Sequence, residues 1–417
     1  MHVIVLGAGI VGMASAYALS RDGHAVTVVD RAPGVGLEAS FANGGQLSYS
    51  YVAPLAGPAV PKSIPGYLLR ADSPLRFAPA ADPHQWRWIL RFLAACTEAQ
   101  SRLTTRRLLA LGSLSRRALH AAVDEHGPAL DFAYARNGKL VVYSTPEGFE
   151  SAQAQMAYQR ELGCEQQAVD ADGCVAIEPA LATLRPRLTG GIHTPSEEVG
   201  DCHGLCESLR RILEAAPTPA TFRLGTTALN LRLEQGRVTG LDTDQGVIGA
   251  DAVVLAAGVG STRFARGAGL DLPIYPLKGY SVSAPMLDPA KAPKVSITDS
   301  ARRIVYAPIG GDLRAAGIAD LVGLDAAIHP RRLDLVARET RAAFPGAADY
   351  DRIRPWSGLR PATPTGAPLL GPTPVPGLWL NTGHGALGFT LAMGSGRVVA
   401  DLMAGRTPEI PVDGFLV

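Results

Sequence analysis

Lysine is scarce in this chain: five of its 39 basic residues are lysine and the other 34 are arginine. Basic and acidic residues nearly cancel, 39 against 38, leaving a net charge of +1 and excluding any global attraction to nucleic acid. Cysteine is equally sparse. Cys96, Cys164, Cys174, Cys202 and Cys206 form an odd, scattered set in 417 residues, which excludes a disulfide scaffold and reads as reduced thiols of a cytoplasmic protein. Cys202, His203 and Cys206 lack a second pair of ligands, so no metal site is expected and packing on a helix accounts for them. Long apolar runs are missing too, apart from Val3 to Ser20, so no membrane span is expected. With 47% apolar and 18% charged residues, the remainder is an ordinary folded chain, long enough for two or three domains.

The one apolar run is informative. Val3–Leu6 reads as a strand, Gly7, Gly9 and Gly12 fall in the G-x-G-x-x-G pattern, a small-residue helix follows, and a second apolar strand ends at Asp30. Gly7 allows the tight turn, Gly9 lets a pyrophosphate approach the backbone, and Gly12 lets the helix pack on the strand. The free N–H groups of the helix start, at Ile10 and Val11, suit phosphates, and Asp30 suits ribose hydroxyls. The unit predicts an adenine dinucleotide.

A further plain βα repeat, as expected for NAD, does not follow. Residues 31–48 instead carry Arg31, Glu38, Ala39, Ser40, Asn43, Gly44, Gly45, Gln46 and Leu47 in a stretch rich in Gly, Ser and Asn. Short side chains and free backbone suit close approach along a ribityl chain, which favours FAD. Residues 51–83 show no period and read as an irregular excursion, and helical spacing begins near Gln85 and runs to about Glu125. A strand is expected at Gly138–Tyr143 and a helix at Gln153–Leu162. Another helix is expected at Cys202–Ala215, with Asp201 as its N-cap. Ala250 to Ser261 repeats the buried strand ending in glycines, so the nucleotide domain is assembled from separated pieces. Residues 274–345 are strand-rich, and one long helix, Gly394–Met403, closes the chain.

Three further stretches complete the pattern: Val253–Gly258, Trp356–Gly371 with one arginine among prolines and glycines, and Leu378 to Ala392 leading into the last helix. Together with Ala42-Asn-Gly-Gly-Gln-Leu-Ser, Ala53-Pro-Leu, Gly200-Asp-Cys, Tyr275-Pro-Leu-Lys-Gly-Tyr-Ser, Gly358-Leu-Arg-Pro and Asn381-Thr-Gly-His-Gly, their order along the whole chain carries a resemblance. The sequence resembles the D-amino-acid oxidase-like family of FAD-dependent oxidoreductases, and within it the bacterial D-amino-acid dehydrogenases of small-subunit type.

The resemblance implies an α/β fold. A discontinuous Rossmann-like FAD-binding domain (1–50, 145–270 and 346–417) would carry a second α+β substrate-binding domain with an antiparallel sheet (51–144 and 271–345). It implies that Arg360 clamps the substrate carboxylate as a bidentate fork. Ala228, Ala256, Ala257, Gly258, Gly358, Gly383, His384, Gly385, Ala386, Leu387, Gly388, Phe389 and Thr390 would join the glycine unit around FAD. Tyr51, Tyr280 and Tyr306 are candidates to line the pocket, His384 is a flavin contact or catalytic group, and Lys278 lies near the flavin or holds a turn. Tyr49–Tyr51 and Arg302–Gly317 fall where side-chain selectivity is set. The implied reaction is hydride transfer from Cα of a D-amino acid, D-alanine-like or D-proline/hydroxy-D-proline-like, to flavin N5. Electrons would pass to a quinone or respiratory acceptor. An oxygen-using amine oxidase of glycine or sarcosine type and a flavin-bearing subunit without turnover are the alternatives.

Between Trp86 and His120 seven arginines stand against the single acid Glu98, with Trp86, Trp88, Ile89, Leu90 and Phe92 interleaved. This stretch is either a solvated helix face or a peripheral contact with the inner face of the cytoplasmic membrane.

Overall fold

The computed structural model describes residues 1–52, 54–68 and 73–417. Ala53 of the Ala53-Pro-Leu motif and residues 69–72 of the expected substrate-binding segment lie outside the described residues. Two large sheets organise the chain. The first has six strands in the order Leu369–Pro372, Leu378–Thr382, Ala252–Leu255, His2–Leu6, Ala25–Asp30 and Thr221–Leu224. All neighbours pair in parallel except Leu369–Pro372. Val3, Ile4 and Val5 are fully buried, as are Val253, Val254 and Leu255. A parallel sheet covered on both faces selects such continuous runs of β-branched and leucine side chains.

The second sheet has nine strands in the order Arg354–Ala362, Tyr275–Pro285, Asp312–Leu321, Ile304–Ile309, Ser296–Asp299, Lys139–Tyr143, Gly190–Thr194 and Gln167–Asp170, with Leu75–Phe77 beside Asp312–Leu321. Its pairing corrects the expected domain boundaries. Gln167–Asp170 and Gly190–Thr194, expected in the nucleotide unit, bond into this sheet, and so does Arg354–Ala362. The helix Glu98–His126, expected with the substrate unit, instead buries Leu108, Leu111 and Leu119 in the core of the six-stranded layer. Apolar periodicity predicts that such elements exist; long-range strand pairing decides which layer they join.

Local expectations held in kind more than in extent. The irregular stretch 51–83 contains a helix, Val60–Leu68, and the short strand Leu75–Phe77. The closing helix begins at Gly388, six residues before Gly394. Asp201 sits at the N-cap of Cys202–Glu214 but makes no capping bond, because its carboxylate accepts from Arg314 Nη1 at 3.2 Å.

Close backbone approach fixes the helices behind the first sheet. A Cβ on Gly396 would stand 2.6 Å from the Ala14 carbonyl oxygen, and one on Gly394 would stand 2.7 Å from the Ser115 nitrogen. Gly388–Met403 is thereby pressed between Ile10–Arg21 and Glu98–His126. Gly396→Ala is expected to destabilise the protein by about 1–3 kcal/mol through overpacking. Gly267, whose Cβ would meet nothing within 4 Å, provides the control. Gly267→Ala should be neutral or slightly stabilising in the same urea titration, and equal midpoints for the two variants would refute the packing argument.

Candidate active site

The glycine turn is built as a cradle. Gly7 has φ +114°, open to glycine and costly for other residues, and a Cβ there would lie 2.5 Å from the Ala256 carbonyl. A Cβ on Gly12 would collide with the Gly7 carbonyl oxygen, so the helix rests directly on the turn. Gly9 is the N-cap of Ile10–Arg21 without a side-chain cap of its own, and Ser40 Oγ accepts the Ile10 N–H at 3.0 Å. Asp30 accepts from the N–H groups of Ala8 (2.7 Å) and Ala32 (2.8 Å), which draws the 31–40 loop over the turn. Burial raises the Asp30 pKa against these two bonds. Ala256 N–H donates to Leu6 at 2.9 Å, placing Ala256, Ala257 and Gly258 beside the cradle.

The tail of the chain closes the same region. Asn381 donates from Nδ2 to Ser15 Oγ at 2.8 Å, and Thr390 Oγ1 accepts the Ser48 N–H at 3.1 Å. Gly383, His384, Gly385, Ala386 and Leu387 form the turn into Gly388–Met403. His384 is buried, and among the described residues neither of its ring nitrogens is hydrogen-bonded and the buried Asn381 Oδ1 is likewise unpartnered. Orphaned polar atoms are costly in a folded interior. Together with the glycine cradle they fit a polar cofactor: Gly7–Gly12, Asp30, Ser40 and Asn381–Thr390 would hold the dinucleotide and flavin of FAD.

The loop 42–48 crosses one face of the nine-stranded sheet. Ser281 Oγ donates to the Ala42 carbonyl at 2.6 Å, and Gln46 bonds through Nε2 to Ser296 Oγ. Asn43 Oδ1 accepts the Gly45 N–H at 3.0 Å, a local turn rather than a ligand contact. A Cβ on Gly44 would meet Val305 at 2.7 Å, so the loop lies flat on the strands. Lys139 Nζ sits beneath it, 2.9 Å from Gln46 Oε1, 2.8 Å from Ser48 Oγ and 4.2 Å from the centre of the Tyr51 ring. Two of these contacts are hydrogen bonds and the third sets the ammonium over an aromatic face. Burial pushes the Lys139 pKa down to about 8, with Glu197 opposing.

Arg360 lies on this face. It pairs in register with Leu277, and its guanidinium covers Gly279, where a Cβ would clash with it. Nη1 donates to the Ile318 carbonyl at 3.0 Å. No carboxylate pairs with Arg360 among the described residues: Asp320 is bonded to Arg332 at 2.6 Å and accepts from Tyr280 at 3.2 Å. Burial lowers the Arg360 pKa to about 10, with Asp320 opposing, so the group stays cationic at neutral pH.

Two tyrosines proposed for the pocket lie elsewhere. Strand side chains alternate between faces, and Tyr280 and Tyr306 point to the opposite face from Arg360. They pack in the core formed with Pro330–Ala343, Tyr306 edge-on to Phe344. Lys278 shares that side and binds Asp325 at 3.2 Å. Arg31 and Glu38 pair with each other at the surface rather than over the cradle. Leu47, Ala228 and Phe389 have side chains in apolar cores, leaving only their backbones available to a cofactor. Gly358 is covered by the Trp356 ring. Tyr51 remains on the pocket side, near Tyr143 and Arg303. Sequence reading missed Lys139, whose lone signal was a lysine opening the apolar run Leu-Val-Val-Tyr.

Burial drives the His384 pKa down to about 3. The unfolded chain takes up this proton near pH 6.5, so stability is complete above that value and is lost as pH falls toward 3. His384→Gln is therefore expected to flatten the acid side of the stability profile by up to about 1.4 kcal/mol per pH unit. Urea titrations between pH 4 and 7 giving identical slopes for both proteins would refute it.

Comparison with known proteins agrees with this geometry. The family model for FAD dependent oxidoreductases matches residues 2–402. "D-amino acid dehydrogenase 2" of Ralstonia nicotianae is 54% identical, covering 98% of each chain, and the protein of that name from Pseudomonas aeruginosa is 47% identical, covering 100% of this chain and 98% of its own. Among solved structures, glycine oxidase from Geobacillus kaustophilus superposes with a TM-score of 0.75 at 22% identity, covering 99% of this chain and 97% of its own. L-proline dehydrogenase from P. horikoshii does so with 0.73 at 17%, covering 99% and 96%. At these identities the structures show a shared fold. With its dinucleotide cradle, its second sheet and a match spanning almost its whole length, the chain belongs to the FAD-dependent oxidoreductases of the D-amino-acid oxidase type.

Proposed function

We propose that this protein is a D-amino-acid dehydrogenase: it oxidises a D-amino or D-imino acid, D-alanine-like or D-proline/hydroxy-D-proline-like, and passes electrons to a quinone or respiratory acceptor. The observation that carries the reading is Arg360, a half-buried guanidinium on the face crossed by the 42–48 loop, with one carbonyl partner and no paired carboxylate among the described residues. A cation drawn out of water without a paired counter-charge calls for an anionic ligand. A substrate α-carboxylate supplies it in bidentate geometry and so fixes the position of Cα. The close relatives' names support this choice of substrate class.

Bound FAD supplies the hydride acceptor; the residues of this chain orient and insulate. Arg360 holds the carboxylate, and the Ile318 carbonyl holds Arg360. The start of Gly388–Met403 would turn its positive dipole end toward the flavin. His384, neutral at working pH, adds no charge there. Lys139 fixes the Gln46 amide through Oε1, leaving Nε2 on Ser296.

The helix Pro83–Ala95 has an outward stripe of Trp86 (45% exposed), Leu90 (66%) and Leu93 (40%), flanked by Arg87 and Arg91. No helix among the described residues is long and apolar enough to cross a membrane. We assign the stripe to peripheral contact with an anionic bilayer, where a quinone is accessible. The protein is expected to float with anionic vesicles at low salt and to be released at high salt. Leu90→Glu should abolish flotation, and sedimentation of the unaltered protein at low salt would exclude the contact.

Anaerobic mixing with D-alanine or D-proline is expected to bleach the flavin, whereas L-enantiomers leave it oxidised. No bleaching by any D-amino or D-imino acid overturns the reading. Stoichiometric peroxide in air would instead identify an oxygen-using amine oxidase. Arg360→Leu should lower kcat/KM by about a hundredfold, the scale of a lost charged, bidentate pair. Arg360→Lys, which retains charge but not the fork, should fall between.

A further inference from the structure

Residues 45–51 form a strap between the nine-stranded sheet and the closing helix, and both sides hold it. Gln46–Leu47 pairs with Glu198–Val199, and Gly200 N–H donates to the Gly45 carbonyl at 2.9 Å. Ser50 gives its N–H to Glu197 Oε1 at 2.6 Å, and its carbonyl accepts from Gln159 Nε2 at 2.8 Å. From the sheet, Lys139 Nζ donates to Gln46 Oε1 and Ser48 Oγ. From the other side, Thr390, third residue of Gly388–Met403, accepts the Ser48 N–H. Ser48 is thus the joint: its hydroxyl binds the sheet and its amide binds the helix. Lys139, Ser48 and Thr390 are all buried, so water has little access to these bonds.

The turn that opens the same helix reaches the sheet at a second place. His384 forms an antiparallel bridge with Ala362, two residues beyond Arg360 on the same strand. One attachment alone would act as a hinge. Two set the angle at which the sheet bearing Arg360 meets the turn and helix start that would hold the flavin. The second attachment also carries a charge. Lys139 makes no ion pair among the described residues, and Glu197 is the one charge that favours its ammonium against burial. Burying a charge without a direct partner is costly. Here it yields charge-assisted bonds to two strap residues and an attraction to the ring of a third, Tyr51.

We propose that Lys139 is a positioning residue of the dehydrogenase: acting through Ser48 and Thr390, it sets the alignment of a substrate held by Arg360 with the flavin. The proposal rests on the dehydrogenase reading and deepens it. Arg360 and the Ile318 carbonyl that holds it lie on other strands of the sheet from Lys139. Loss of Lys139 therefore leaves the carboxylate clamp in place and loosens the angle between clamp and flavin. A small misplacement of reacting atoms costs rate far more than it costs binding.

The test is steady-state kinetics of the flavin-loaded protein with the D-amino acid that bleaches it fastest. Lys139→Met is expected to lower kcat about tenfold or more and to leave KM within about threefold. The dissociation constant of acetate, read from the flavin absorption band without turnover, should also stay within about threefold in Lys139→Met and rise in Arg360→Leu. Ser48→Ala should lower kcat in the same way. The double variant should be no slower than Lys139→Met alone, the coupling expected of residues that act as one unit. Multiplied losses in the double variant, or a change confined to KM and the acetate constant, overturn the proposal. If Lys139→Met takes up no flavin, Ser48→Ala decides, and an unchanged kcat there overturns the proposal. Bleaching of the unaltered protein alongside any contrary result leaves the dehydrogenase reading standing. Absence of bleaching by every D-amino acid fails that reading and this proposal with it.

Discussion

Three helices meet behind the parallel sheet at distances that exclude side chains, and the cofactor site depends on that contact. Gly388–Met403 touches Ile10–Arg21 through Gly396 and Glu98–His126 through Gly394. Because backbone meets backbone, sliding one helix by a fraction of a turn would drive side chains into carbonyl groups, and close-packed interiors do not absorb that. The bond from Asn381 to Ser15 then falls into place, and with it the turn at His384 over the dinucleotide cradle.

The nine-stranded sheet divides its charges between its faces. One side closes an ionic cluster on itself: Asp320 with Arg332 and Tyr280, and Lys278 with Asp325. The other side carries Arg360 without a paired carboxylate among the described residues, while Lys139 is held there by neutral oxygens and an aromatic face and Arg314 pairs with Asp201. Strand alternation alone produces this separation, since Lys278 and Tyr280 point away from the face on which Leu277, Gly279 and Ser281 lie. Electrostatic asymmetry across a single layer thus makes one face structural and the other receptive to anions.

Much of this was legible in the sequence. The glycine spacing, Asp30 and the strand 252–255 required only local periodicity and turn chemistry, and they lie where that reading put them. Arg360 was visible because it stands alone among prolines and glycines. Tyr280 and Tyr306 were misjudged because a residue's face depends on register, and in Tyr275–Pro285 burial on both sides erases the alternation that would reveal it. Lys139 gave little signal, since its place depends on the loop that strand pairing lays over it. The layer to which 167–194 belongs was hidden for a related reason: its partners are set by pairings across more than a hundred residues.

The order of the chain along the first sheet bears on how the protein is made. His2–Leu6, made well before its sheet partners, lies beside Ala252–Leu255, which in turn waits for Leu378–Thr382. Until those late segments emerge, the nascent chain carries an apolar strand and a glycine turn without the partners that bury them. Such exposed edges are what chaperones bind and what aggregation exploits. Cofactor capture by the completed cradle therefore waits for Leu378–Thr382 and the turn at His384, and binding then stabilises the closed form by mass action.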